Sequence, residues 1–134
     1  MARDAMRWTS DQVLAHLRAG SPSSAAEVLQ HFVALFQHVV EATDGAAGCA
    51  VAGVTIDIPA SDEELMVEAR AAFHAWTALL AEQLTVTGVT SERAAGIATI
   101  AVASVEGALI LCRAEGGTAP LDAVAIQLQV LVAS

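Results

Sequence analysis

The last third of the chain, residues 90–132, constrains the fold most strongly. It consists of two mostly apolar segments, residues 90–114 and 120–133, separated by Gly116 and Gly117. Glycine is the residue that most often ends a helix, so this pattern predicts a helical hairpin. The hairpin carries more apolar surface than one small domain needs to bury.

The final segment, residues 120–133, has apolar residues on two opposite sides. A terminal helix at the surface of a domain needs only one apolar stripe. The second stripe therefore implies a partner, and the simplest partner is another copy of the chain. The sequence leaves open which stripe faces the partner. One stripe is Leu121, Val124, Leu128 and Leu131, and the other is Ala123, Ile126 and Val130.

The helix predicted before it has small residues roughly in line, at Gly96, Ala103, Gly107 and Ala114. Small side chains allow another helix to approach closely, a rule best established in membranes. We therefore predict that two copies pair their last two helices in a four-helix interface. The predicted interface residues are Ala103, Gly107, Ile110, Ala114, Leu121, Val124, Leu128 and Leu131.

The run of residues 94–112 approaches the length of a membrane span. However, Glu106 lies inside it, small and hydroxyl residues dilute it, and its ends lack aromatic anchors and a basic cluster. A buried helix is the favoured interpretation, and no membrane is expected as a partner.

Composition narrows the class of protein further. With 134 residues, the chain is expected to be one domain, residues 1–134, able to bury a core of its own. A formal charge of −9 argues against direct contact with nucleic acid or anionic lipid. Two cysteines do not make a disulfide framework, so we expect a reducing, cytoplasmic location.

The rest of the chain also predicts helices. Apolar residues recur at helical spacing in residues 3–19, 23–43 and 62–87, and the pairs Ser24/Glu27 and Ser61/Glu64 resemble capping boxes. Residues 48–58 alternate well enough for a strand, but no second strand exists to pair with them. We therefore predict a short buried helix there. The expected fold is all-α, with about six helices.

The ordered set of segments resembles the C-terminal ligand-sensing and dimerisation domain of TetR-family bacterial transcription regulators, in the group similar to LmrA and YxaF. The resemblance rests on residues 48–54 (GCAVAGV), 72–76 (AFHAW), 105–115 (VEGALILCRAE) and 118–122 (TAPLD). It covers nearly the whole chain. It implies that the last two helices form the dimer interface and that the other helices surround a small, mostly apolar effector.

The resemblance also implies an N-terminal DNA-binding unit, which is not seen in this sequence. Family members begin with a three-helix DNA-binding unit that contains a helix-turn-helix, and residues 3–19 here resemble the linker helix that follows it. This chain as given is therefore not expected to contact DNA directly. The expected function is the sensing and pairing half of a repressor. The alternative is a free-standing helical module that binds a small molecule or a protein without binding DNA.

In the family, the effector lies among the helices that correspond to residues 23–43, 62–87 and 90–114. For each apolar candidate there, ordinary core packing is the favoured interpretation, because helical spacing alone predicts core. His31 is a further possible polar group. The predicted ligand residues are Phe32, Phe36, Cys49, Met66, Phe73, Trp76, Thr99, Val102 and Glu106.

Glu106 is the most informative of these residues. A carboxylate in the middle of an apolar helix must be paired, neutralised or exposed. It could bind a cationic or hydroxylated effector, or hold a structural hydrogen bond at the subunit interface, and we favour the structural role. Arg113 lies two turns away and could reach it only through the partner chain or a bridging group.

Other chemistry is not expected. His31 and His38 are two turns apart, which is not the spacing that chelates zinc well. The sequence shows no nucleophile elbow, phosphate-binding glycine loop or paired catalytic carboxylates. We therefore predict no enzyme, no metal and no cofactor.

Overall fold

A computed structural model describes residues 1–45, 48–59 and 61–133. These residues form six α-helices and no strand, which confirms the all-α prediction. The helices are α1 (Ala2–Ala19), α2 (Ala25–Thr43), α3 (Ala50–Asp57), α4 (Glu63–Val86), α5 (Ser91–Glu115) and α6 (Ala119–Ala133).

The helices begin and end close to the predicted positions, with some different caps. The Ser24 side chain caps α2 by accepting from the backbone N–H of Glu27, but Glu27 reaches back to Ser23 rather than to Ser24. Asp62, not Ser61, caps α4 by accepting from the N–H of Leu65. At the end of α5, Gly116 has a φ of +81°, a left-handed conformation that glycine adopts without strain.

Residues 50–57 form the short helix α3, so the helical interpretation is confirmed over the strand. The helix is less buried than predicted. Val51 is its buried residue, whereas the Ile56 side chain is 69% exposed. The helix packs against α1 and α4, and this position explains why only one side is covered.

The core lies between the α4–α5 hairpin and the helices around it. α1 packs on α4, while α6 packs on both α2 and α5. A hydrogen bond of 2.9 Å from Gln37 to Asp122 links α2 with α6 at the surface. The largest fully buried side chains are Trp76, Phe32, Met6, Leu17, Leu29, Leu80, Leu84 and Leu121.

α5 is long and apolar enough to cross a membrane, with a mean hydropathy of 2.0 in its most apolar stretch. Within that stretch, 44% is buried inside the protein itself. The core helix of a soluble protein has the same length and composition, so this feature is weak evidence for a span. The other residues of that stretch are not buried inside the protein.

Candidate functional site

The carboxyl group of Glu106 lies near the middle of α5 and is shielded from solvent. Among the described residues, no N–H or O–H group lies within hydrogen-bond distance of either of its oxygen atoms. The Cys49 thiol, at the start of α3, lies beside it. Burial raises the pKa of Glu106 to about 7, and the weak polar contact with Cys49 lowers it by less. At neutral pH, the Glu106 side chain is therefore present in both its protonated and its ionised form.

Cys49 is a buried neighbour rather than a reactive group. Burial first, and the negative charge of Glu106 second, raise the pKa of its thiol to about 12. The thiolate is the reactive form of cysteine, so this side chain stays protonated and inert at neutral pH. Cys49 and Cys112 are both free and buried.

A cavity of about 210 Å³ opens next to Glu106, between α3 and α5. Small residues of α3 leave the space open, and apolar side chains form much of its wall. Glu106 supplies the buried polar group, while Asp57 and Arg113 lie on exposed parts of the rim. The lining residues are Gly48, Cys49, Ala52, Gly53, Ile56, Asp57, Glu106, Leu109, Ile110 and Arg113.

A second and larger cavity, of about 590 Å³, lies on the other side of the same short helix, between α3 and α4. Two predicted ligand residues, Met66 and Phe73, line it. Thr55, Glu63, Val67, Ala69 and Arg70 complete the wall. α3 is thus a shared wall of both cavities.

Three predicted ligand residues instead fill the middle of the bundle. Phe32 contacts Phe36 edge to face at 5.3 Å, and Phe36 lies 6.5 Å from Trp76 between ring centroids. Phe73 packs edge to face on Trp76 at 5.4 Å. The aromatic side chains therefore pack on one another between α2 and α4, and the two cavities described above lie beside α3.

Thr99 and Val102 occupy different sides of α5. The Thr99 side chain is exposed and donates to the backbone carbonyl of Ala95 in its own helix. Val102 is buried in the core. The structure thus brings together Cys49 with Glu106, and Met66 with Phe73, but places Thr99 outside both cavities.

α5 and α6 share an exposed apolar surface, which we call the hairpin face. It is formed by Ile100, Ile110 and Leu111 on α5 and by Ile126 and Val130 on α6, which are 48–60% exposed. A groove of about 380 Å³ lies between the two helices, and Ile100 belongs to both the groove and the hairpin face. Its lining is Ile100, Ser104, Ala123, Val124, Gln127, Leu128 and Leu131.

The small residues on the hairpin face leave open space beside it. A methyl group added at Gly96 or Gly107 would meet no atom within 4 Å. Ala103 and Ala114 are also exposed, so the predicted small-residue line does lie at the surface.

The structure distinguishes the two stripes of the last helix. Leu121 and Leu128, predicted from the sequence to lie at the interface, are buried in the interior of the chain because α6 packs that side on α2 and α5. The stripe free to meet a partner contains Ile126 and Val130 instead. Val124 and Leu131 are half-buried beside the groove.

Three ion pairs join the first helix to the fourth, and one of them is Arg3 with Glu68 at 3.4 Å. Arg3 contacts Glu64 at 3.0 Å, and Arg7 contacts Glu68, also at 3.0 Å from its Nε. The hydrogen bond from Arg7 holds the pKa of Glu68 below its usual value. These contacts leave no local pattern in the sequence, because the partners are at least 61 residues apart.

Over residues 1–45, 48–59 and 61–133, no group of three or more His, Cys, Asp or Glu side chains is arranged to hold an ion.

Comparison with known proteins identifies the class. Residues 25–127 match the model of the C-terminal domain of LmrA/YxaF-like transcriptional regulators, a TetR-type domain. The chain belongs to this family. The match covers α2 through residue 127 of α6, and so includes both cavities and all of the hairpin face except Val130 in this TetR-like domain.

Curated relatives agree with that assignment. Two uncharacterized HTH-type transcriptional regulators of Mycobacterium tuberculosis are similar to the chain, MT0206 of strain CDC 1551 / Oshkosh and Rv0196 of strain ATCC 25618 / H37Rv. Each is 31% identical over 113 residues, which is 79% of this chain and 57% of the relative. The TetR-like chain therefore spans little more than half the length of these regulators.

Proposed function

We propose that this chain is the effector-sensing and dimerisation part of a TetR-like repressor that works in the cytoplasm. Its role would be regulatory binding rather than catalysis. DNA recognition would belong to a helix-turn-helix unit that α1 connects to this domain. The family assignment supports the regulatory role. The hairpin face supports dimerisation, and the cavities beside α3 support effector binding.

The hairpin face is the observation that carries the proposal. Five large apolar side chains on α5 and α6 are about half exposed or more, and one of them, Ile100, also lines the groove between the two helices. Exposed apolar patches of this kind mark interaction surfaces. Two copies related by a two-fold axis would each cover the other's patch, since such an interface uses the same surface twice.

The cavities beside α3 support sensing. A ligand in either cavity would touch α3, because this helix forms a wall of both. α3 also packs against α1. Ligand binding would therefore favour one position of α3, and α1 would follow. The effector site would thus be coupled to α1 through α3, which has two arrangements, and α1 would pass the change to the DNA-binding unit.

The anchoring of α1 fits this output role. Its first turns are tied to α4 through Arg3 and Arg7, and its last turn is tied to α2 and α4 by side chains that reach its carbonyl groups. Because α4 holds both ends of α1, a shift of α4 would carry α1 with it. The motion of α3 and α4 would thus reach any domain attached before α1.

Light scattering during gel filtration tests the pairing half of the proposal. The expected particle has twice the 13.7 kDa mass of one chain. A mass of a single chain at about 10 μM would remove the basis of the proposal, because symmetric coupling between two copies requires the pair.

A further inference from the structure

The carboxyl group of Glu106 borders the cavity between α3 and α5 and has no N–H or O–H donor beside it among the described residues. Both oxygen atoms are shielded from solvent, no described N–H or O–H group donates to them, and the Cys49 thiol beside them is only a weak donor. A buried polar group with no hydrogen bond costs free energy, and an ionised one costs much more. A ligand that donates hydrogen bonds to these oxygens would remove that cost.

The surroundings favour a positive ligand. Glu106 and Asp57 are the acidic groups of the cavity, and Arg113, on the exposed rim two turns along α5, is its basic group. Cys49 stays neutral beside Glu106. The interior end of the cavity therefore holds one acidic group facing apolar and small side chains. The chain as a whole, with a formal charge of −9, attracts cations as well.

The size of the cavity limits the ligand. At about 210 Å³, it is smaller than the ~300–1,000 Å³ typical of sites for drug-sized molecules. Ile56, Leu109 and Ile110 give it apolar walls. A short apolar body with one polar end matches both the volume and the lining.

We propose that the cavity between α3 and α5 binds a small apolar amine in its ammonium form, with the nitrogen donating to both oxygens of Glu106. This inference rests on the proposed function and names the chemical class of the effector. An ammonium group satisfies two acceptors and supplies the missing countercharge, and hydrogen bonds between charged groups are roughly twice as strong as neutral ones. A hydroxyl group would donate to one oxygen only and leave the charge unpaired.

Binding of an ammonium group is linked to the proton on Glu106. The ion pair favours the carboxylate, so binding lowers the pKa of this group from about 7 in the free chain. Below pH 7, binding therefore releases a proton. The affinity for the amine rises with pH up to about 7 and is then constant, as long as the amine itself stays protonated.

Calorimetric titration with 2-phenylethylamine and with 2-phenylethanol tests the proposal. The two compounds share one apolar body and differ at the polar end. The chain should bind the amine at least about tenfold more tightly than the alcohol. Glu106→Gln should weaken amine binding about 30-fold or more, as expected for a buried charged pair that loses one partner. Glu115→Gln removes an exposed carboxyl from the same helix and should leave binding unchanged.

A second variant tests the position of the site. Gly53 lines the cavity, and a methyl group added there meets no atom within 4 Å. Gly53→Leu should fill the space and abolish amine binding while Glu106 is intact. If the amine binds this variant normally, the site lies elsewhere and the proposal fails.

The remaining outcomes separate this inference from the proposed function. Equal binding of amine and alcohol, unchanged in Glu106→Gln, would overturn the amine class and leave effector sensing in place. No binding of either compound, together with a weaker dimer in Glu106→Gln, would overturn it in favour of a structural role at the interface. The mass of the unmodified chain in the same buffer shows separately whether the pairing itself exists.

Discussion

The imidazole rings of His16 and His31 stack face to face, with ring centroids 3.9 Å apart and planes 9° apart. The Nε2 of each ring lies 2.6 Å from the backbone carbonyl oxygen of the other residue. A carbonyl oxygen only accepts, so both rings must carry their proton on Nε2. The pair joins the last turn of α1 to α2.

This pair replaces an ordinary helix cap. The last carbonyl groups of a helix have no partner within the helix. In α1, the His31 ring donates to the carbonyl of His16, and Gln83 of α4 donates to that of Leu17 at 2.9 Å. Gly20 follows without a left-handed turn, and a methyl group on it would come within 2.7 Å of the His31 ring. The end of α1 is therefore fastened by its neighbours.

Replacement of His31 tests this fastening. His31→Ala removes the stack, one hydrogen bond and the partner of an orphan carbonyl, so the free energy of unfolding should fall by about 1–2 kcal/mol. Urea denaturation followed by circular dichroism measures it. His38→Ala is the matched control, because His38 is exposed on the same helix. Equal effects of the two changes would show that the pair adds no stability.

The buried carboxyl of Glu106 predicts a dependence of stability on pH. Its pKa is raised from 4.5 to about 7 by burial, so the unfolded chain loses this proton at lower pH than the folded chain. The free energy of unfolding therefore falls as pH rises from about 4.5 to 7, by up to about 3 kcal/mol, and is then level.

Glu106→Gln removes that dependence. In the absence of amine, the variant should be more stable than the unmodified chain at pH 8 and close to it at pH 4.5. Urea denaturation at both pH values gives the difference in unfolding free energy between the variant and the unmodified chain. The contributions of all other titrating groups cancel in this difference. A difference that does not change with pH would show that the carboxyl is solvated or paired.

Replacement of Gly107 by leucine should change the stability of one chain and the affinity between two chains in opposite directions. Leucine is a better helix former than glycine by up to about 1 kcal/mol, and the added side chain meets no atom of its own chain. Gly107→Leu should therefore leave a single chain as stable or more stable, while it keeps a second copy from approaching α5. Sedimentation equilibrium should show a weaker dimer. A fully dimeric variant would place the close approach elsewhere.

Much of the fold could be predicted from the sequence, because helical periodicity and end signals are local. The alternating pattern of residues 48–58 fits a strand as well as a helix. No second strand is predicted to pair with it, and this argument predicts the helix that the structure contains. The caps were less predictable. Ser61 and Asp62 are both good caps, and the choice depends on backbone angles that the sequence does not reveal.

The candidate site was harder to predict for a physical reason. Helical spacing indicates which side of a helix faces inward, but not whether the inward side chains meet one another or leave a space. Phe32, Phe36 and Trp76 pack on one another, whereas Met66 and Phe73 border a cavity. The stacked histidines leave no pattern at all, because each hydrogen bond runs to a backbone carbonyl 15 residues away.

The pairing of two chains through the hairpin face is the central claim, and Ile126→Asp tests it most directly. This residue is 60% exposed on α6, so a single chain tolerates the change, but a buried interface would have to desolvate the new charge. Val67→Asp on α4, where the side chain is 56% exposed away from this face, is the matched control. Sedimentation equilibrium should give a dimer for the unmodified chain and for Val67→Asp, and a monomer for Ile126→Asp. A dimer that survives Ile126→Asp unchanged would contradict the account.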